Sequence, residues 1–127
     1  MTTQTIERTT LSNLVSNEEY CRKVLPFIKP DYFDVKEERV VFEEITNFVE
    51  KYKRIPTKIS LEIEVESRKD LTEDQHTKIV EIIQTLDATD VDMEWLVDTT
   101  EKFCKDKAIY NAIVEGIAII DGKDKDK

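Results

Sequence analysis

The side chains able to do chemistry are few in this chain and poorly spaced for it. His76 is the single histidine, and Cys21 and Cys104 are the two cysteines. A zinc site draws its ligands from closely spaced Cys and His pairs. One histidine and two distant cysteines give no such spacing. A cysteine nucleophile needs an adjacent base, and neither cysteine has a histidine near it in sequence, so His76 reads as a surface or partly buried side chain. Carboxylates number 28, so pairs such as Glu62 with Glu66 or Glu43 with Glu44 arise by chance. Without a cleft they are not an acid–base pair. A phosphate loop needs two glycines at a fixed spacing, then Lys and Ser or Thr, after a strand. Gly116 and Gly122 with Lys123 and Asp124 fail in spacing, in last residue and in context. No catalytic residue, cofactor ligand or metal ligand emerges. Function must therefore lie in a surface.

The surface in question is on the stretch from Asp92 to Ile120, which has no proline and one glycine, Gly116. Asp92 suits an N-cap, because its carboxylate accepts from the free amides of a first turn; Gly122 suits a stop. Leu96, Thr99, Phe103, Lys107, Tyr110, Val114 and Ile117 fall at helical spacing, as do Trp95, Ile109, Ile113, Gly116 and Ile120. At about 1.5 Å per residue the helix is roughly 40 Å long, more than a small core needs. Its first half is amphipathic, with Asp98, Glu101, Lys102, Lys105 and Asp106 on the wet side. From Ala108 to Ile120 every residue but Asn111, Glu115 and Gly116 is apolar. A helix apolar nearly all round is buried on most sides, and a short chain has few elements to cover it. Ala108, Ala112 and Gly116 form a row of small residues that lets another helix approach closely. Two readings follow: an internal core helix, or an oligomer interface in its C-terminal half.

Length and composition bound the rest. A chain of 127 residues suggests one domain. With 39% hydrophobic and 37% charged residues, two glycines and three prolines, it favours helices over an all-β fold. A net charge of −9 opposes binding of nucleic acid or anionic membrane by the bulk surface, so no direct DNA contact is expected. Lys51, Lys53 and Arg54 with Lys58 are the one candidate basic patch, and basic residues at a helix C-terminus are equally favoured by its dipole. Two cysteines without a signal peptide read as reduced, buried thiols of a cytosolic protein. The longest wholly apolar run, Ile117–Ile120, is far short of a membrane span.

Along the chain, residues 1–5 look frayed, and 6–91 read as a helical bundle. A short helix covers Ile6 to Val15. Ser16-Asn-Glu-Glu19 resembles a capping box opening a second helix through Tyr20, Cys21, Val24 and Leu25, which Pro26 ends. Tyr32 and Phe33 follow a Lys29-Pro30-Asp31 turn. A capped start at Asp34 opens a third helix over about 35–54, with Phe42, Ile45, Phe48 and Val49 inward and Glu37, Glu38, Glu43, Glu44 and Glu50 opposed. Ile59, Leu61, Ile63 and Val65 alternate with polar residues, which is a strand signal. A lone strand has no partner, so a short helix capped by Thr57 is the favoured reading of 57–66. Thr72-Glu-Asp-Gln75 caps a helix carrying Ile79 and Ile83. With Trp95 and Phe103 these residues make the expected core of an all-α bundle of about six helices. Residues 121–127 read as a solvated, disordered tail.

These motifs, in this order, resemble a known family. Arg39-Val-Val-Phe42 with Ile45, then Pro56-Thr57 and the Leu61 region, resembles the "R-x-I-F, then I, then a proline or aspartate turn" pattern of DnaB-type replicative helicase N-terminal domains. Asp31-Tyr32-Phe33 resembles their "D-F-F/Y" loop. Lys105-Asp-Lys-Ala-Ile109 resembles their "V-R-E-K-A-I/L" segment, the first arm of a protruding helical hairpin. The Trp95-Leu-Val97 opening is similar to that in replicative helicases of tailed bacteriophages. The resemblance covers roughly residues 9–120. It implies a non-catalytic collar domain of a hexameric ring, pairing by its hairpins as a trimer of dimers and contacting primase and a helicase loader. It makes residues 92–120 the first hairpin arm, with Tyr110, Ala112, Ile113, Val114, Gly116, Ile117 and Ile120 as the oligomer interface. ATP and magnesium are then expected only in a separate C-terminal RecA-like domain. The location implied is cytoplasmic, in the host cell if a phage encodes the protein. The second hairpin arm would follow Gly122, where this sequence ends, so the Ile113–Ile120 face is expected to lack its native cover. Two other readings compete: a stand-alone acidic adaptor or DNA-mimic inhibitor, disfavoured by the interspersed lysines, and a small enzyme, which requires a polar cleft.

Overall fold

Four helices, the second among them, begin at side chains that satisfy the free amides of their first turns. In the computed structural model, which describes the backbone of residues 3–125 and the side chains of 6–117, Thr57 Oγ1 accepts from the Ser60 N–H at 3.1 Å, and Ser60 Oγ accepts from the Thr57 N–H at 3.0 Å. Thr72 and Gln75 repeat this reciprocal bonding at 3.1 and 2.9 Å. Asp92 Oδ2 accepts from the Trp95 N–H at 2.9 Å. The helices are α1 (Thr3–Ser16), α2 (Glu18–Val24), α3 (Lys36–Tyr52), α4 (Lys58–Glu66), α5 (Glu73–Gln84) and α6 (Met93–Lys125). Two 3-10 turns, Leu25–Phe27 and Pro30–Tyr32, lie between α2 and α3. The described residues contain no strand.

α3 is the central element, packed against α1, α4, α5 and the second 3-10 turn. Val40, Val41, Phe42 and Ile45 on it are buried. Leu11 and Leu14 of α1, Tyr20 of α2, Leu61 and Val65 of α4, Ile79 and Ile83 of α5 and Leu96 of α6 complete the core. Phe33 is fully buried, its ring 5.2 Å from that of Phe42 and 6.3 Å from that of Phe103. It joins the loop before α3 to both the central and the last helix.

Several local expectations are corrected. The cap of α2 is Asn17, whose Oδ1 accepts from Tyr20 at 3.1 Å, because Ser16 still belongs to α1 and donates to the Ser12 carbonyl at 2.7 Å. Asp34 does not cap α3: Val35 stands at that position without a side-chain bond, and Asp34 is held elsewhere. α3 ends two residues earlier than expected, where Lys53 adopts a left-handed conformation at φ 60°. Glu38 and Glu44, expected on the wet side, are buried. Arg8 reaches Glu38 at 2.9 Å and Arg68 reaches Glu44 at 3.0 Å, so neither carboxylate is buried without a cation. Phe48 and Val49 are half-buried at the bundle's edge, and the Phe48 ring meets that of Tyr52 in a tilted pair, centres 4.6 Å apart. α1 already begins at Thr3, and α6 runs through Gly122 to Lys125. A single glycine inside a helix costs about 1 kcal/mol against alanine, which weakens a helix without ending it.

Candidate functional site on the long helix

α6 spans 33 residues, about 50 Å at the usual rise. Its first half is fastened to the bundle. Leu96, Thr100, Phe103 and Cys104 are buried. The Tyr20 and Thr100 hydroxyls meet at 2.6 Å, and Thr100 also bonds the Leu96 carbonyl at 2.8 Å. Lys107 Nζ donates to Asp34 Oδ2 at 2.6 Å, and Asn111 Nδ2 donates to the Asp31 carbonyl at 3.2 Å. Both acceptors sit on the segment after Pro30.

Beyond this fastening the apolar side chains face outward. Ile109, Tyr110, Ile113, Val114 and Ile117 are 61, 60, 57, 46 and 57% exposed. At about 100° per residue these five fall within an arc of roughly 140°, centred about a fifth of a turn from the line of Leu96, Phe103 and Lys107, with Val114 on that line. Val114 continues the bundle-facing line and is exposed because α6 has left the bundle there, whereas Ile109, Ile113 and Ile117 turn away from it. Trp95 corrects the expected core for the same reason. It lies on the side of Ile113, not of Leu96, and is 52% exposed. Ala112 is exposed, and a Cβ added at Gly116 would meet nothing within 4 Å, so the row of small residues has no helix against it in the protomer. Ile120 lies outside the residues whose side chains are described. Glu115 is the one charged side chain from Ala108 to Ile117. An extended apolar face depleted of charge is the composition of an interface centre.

The remaining chemistry-bearing residues do not assemble. Cys21 and Cys104 are free and buried, and burial pushes each thiol up to about 11. That holds them as protonated, unreactive groups at neutral pH. Among the described residues no cluster of His, Cys, Asp and Glu could hold a metal ion, and no helix is long and apolar enough to cross a membrane. Sequence reading missed the Arg68 guanidinium, which gathers Glu43, Glu44 and Asp70 at 3.1, 3.0 and 2.8 Å. It also missed Lys107 and Asn111 as the groups that fasten α6. Lysine and asparagine at helical spacing mark a solvated face unless the acceptors on a distant loop are known.

Two comparisons with known proteins bear on the site. The chain is 29% identical over 109 residues to a DnaB-like replicative helicase of Enterobacteria phage T4, an alignment covering 86% of this chain and 23% of that protein. The chain thus spans about a quarter of the length of that relative. The family model described as "DnaB-like helicase N terminal domain" matches residues 2–98, which take in all of the bundle and the start of α6. On that match, the chain belongs to the DnaB-like helicase N-terminal domain family.

Proposed function

We propose that this domain gathers copies of a replicative helicase into its ring, and does so without catalysing a reaction itself. The apolar face of α6, Tyr110, Ala112, Ile113, Val114, Gly116 and Ile117, continued by Ile120, receives the same face of a second copy. Pairs so formed build a trimer of dimers in the full-length protein. The bundle presents a docking surface to primase, and to a loading factor as well. ATP and magnesium are handled in a separate C-terminal domain.

The observation that carries this reading is the exposed apolar arc that α6 presents where it leaves the bundle. Each isoleucine taken fully out of water contributes about 1.5–3 kcal/mol, so a few of them supply the driving force for pairing. The experiment is sedimentation over a concentration series of the parent and of Ile117→Asp. The parent should gain mass with concentration, while Ile117→Asp stays lighter with unchanged helicity by circular dichroism. Equal masses for both at every concentration would overturn the assignment.

A further inference from the structure

A different part of the surface departs from the acidic character of the chain. Lys51, Lys53 and Arg54 cluster at the end of α3 in a protein of net charge −9. Lys58, next in the cluster, is already engaged by Asp87 and the Gln84 carbonyl. Lys53 and Arg54 enter no ion pair among the described residues. Lys51 and Arg54 lie 5.3 and 5.9 Å from the Tyr52 ring centre, which holds them near the same edge.

Beside these cations a cleft of about 160 Å³ opens between α2 and the end of α3. Its floor is apolar: Cys21, Leu25, Pro26, Val49 and Ile55. Its rim carries Arg22, Lys53 and Arg54, and the one acid there, Glu18, is paired with Arg22. An apolar cavity of about 150 Å³ accepts a benzene ring, so this one has room for one large apolar side chain. A plain apolar cleft would accept any such side chain. Unpaired cations at its edge favour one flanked by carboxylates and penalise one flanked by lysines.

We infer that this cleft docks an acidic peptide segment of a partner protein, with one apolar side chain seated against Val49 and Ile55 and flanking Asp or Glu side chains on Lys53 and Arg54. A single-stranded nucleic acid is the competing occupant, since Tyr52 stands among basic residues. The floor, however, is aliphatic and one side chain wide, offering no face on which successive bases stack. The inference is independent of α6 and of how the protomers pair.

The test is a titration of the ¹⁵N-labelled domain with the peptide acetyl-Asp-Glu-Phe-Glu-Asp-amide. Acetyl-Lys-Lys-Phe-Lys-Lys-amide and a short oligothymidylate are titrated in parallel. The acidic peptide should give saturable shifts confined to residues 18–26 and 49–55, weakened by added salt. The Lys53→Glu, Arg54→Glu double variant, altered only at exposed positions, should keep its circular dichroism and bind the acidic peptide about tenfold or more weaker, a loss of about 1.4 kcal/mol or more. Three results would each overturn the inference: no saturable shift there at millimolar acidic peptide, an equal response to the basic peptide, or tighter binding of the oligothymidylate at the same residues.

Discussion

The Lys107 ammonium lies 2.6 Å from Asp34 Oδ2, while the Asp34 backbone N–H donates to Glu7 Oε2 at 3.2 Å. One residue of the loop before α3 thus links the first helix to the last, at the point where α6 leaves the bundle. Lys107→Met keeps the packed stem and removes the charge. Because Asp34 is largely exposed, the expected loss is only about 1 kcal/mol. It should appear as a lower urea midpoint, with the difference from the parent shrinking as salt rises. A variant as stable as the parent at low salt would show that the pair fastens nothing.

Phe33 offers a larger effect. It is fully buried between the rings of Phe42 and Phe103, and Phe33→Ala should cost about 3–5 kcal/mol, from lost burial and the cavity left behind. Phe33→Leu should cost much less. Equilibrium unfolding in urea distinguishes them, and similar midpoints for the two would contradict the packing described.

Glu7 carries the pH dependence. Its burial raises the carboxyl pKa above 4.5, the Asp34 N–H opposes the rise, and the charges of Glu38 and Asp34 add to it. The ionised form is therefore disfavoured in the fold relative to the unfolded chain. This contribution destabilises above the raised folded value and is relieved as pH falls through that value toward 4.5. Glu7→Gln keeps the acceptor and removes the charge. It should be more stable than the parent at pH 7, with the advantage fading across that window and absent below 4.5. Urea midpoints at several pH values check this; an unchanged gap at low pH would refute it.

Cys21 and Cys104 should resist alkylation. Both are buried, with thiols pushed up to about 11 by burial, and the thiolate is the reactive form. Iodoacetamide at pH 8 should label them slowly in buffer and at least tenfold faster in urea, a ratio fixed by the rarity of opening. Labelling of either at the rate of a free thiol, without denaturant, would show that its helix opens readily.

The features legible in the sequence were the local ones. Thr57 as a cap and Thr72 with Gln75 act within a single turn, so residue type and spacing suffice to place them, while the return bond of Ser60 to Thr57 is seen only in the structure. The alternation of Ile59, Leu61, Ile63 and Val65 misleads until the helix angle is considered. Residues two apart in a helix point about 200° from each other, so Leu61 and Val65 are fully buried while Ile59 and Ile63 are 70 and 56% exposed. Glu38 and Glu44 were not legible because their cations, Arg8 and Arg68, are far away in the chain. Trp95 was misplaced because a large aromatic beside Leu96 suggests a core, and only the direction in which α6 faces the bundle separates the two.

That direction has a further effect. Since the side of α6 that grips its own bundle and the side carrying Ile109, Ile113 and Ile117 lie about a quarter turn apart, exchanges at these three isoleucines leave the protomer's interior untouched. If the arms pair as proposed, mate choice is thereby insulated from folding, and two variants sharing one bundle but carrying mismatched arms would fold equally well in the same cell and still sort into separate assemblies.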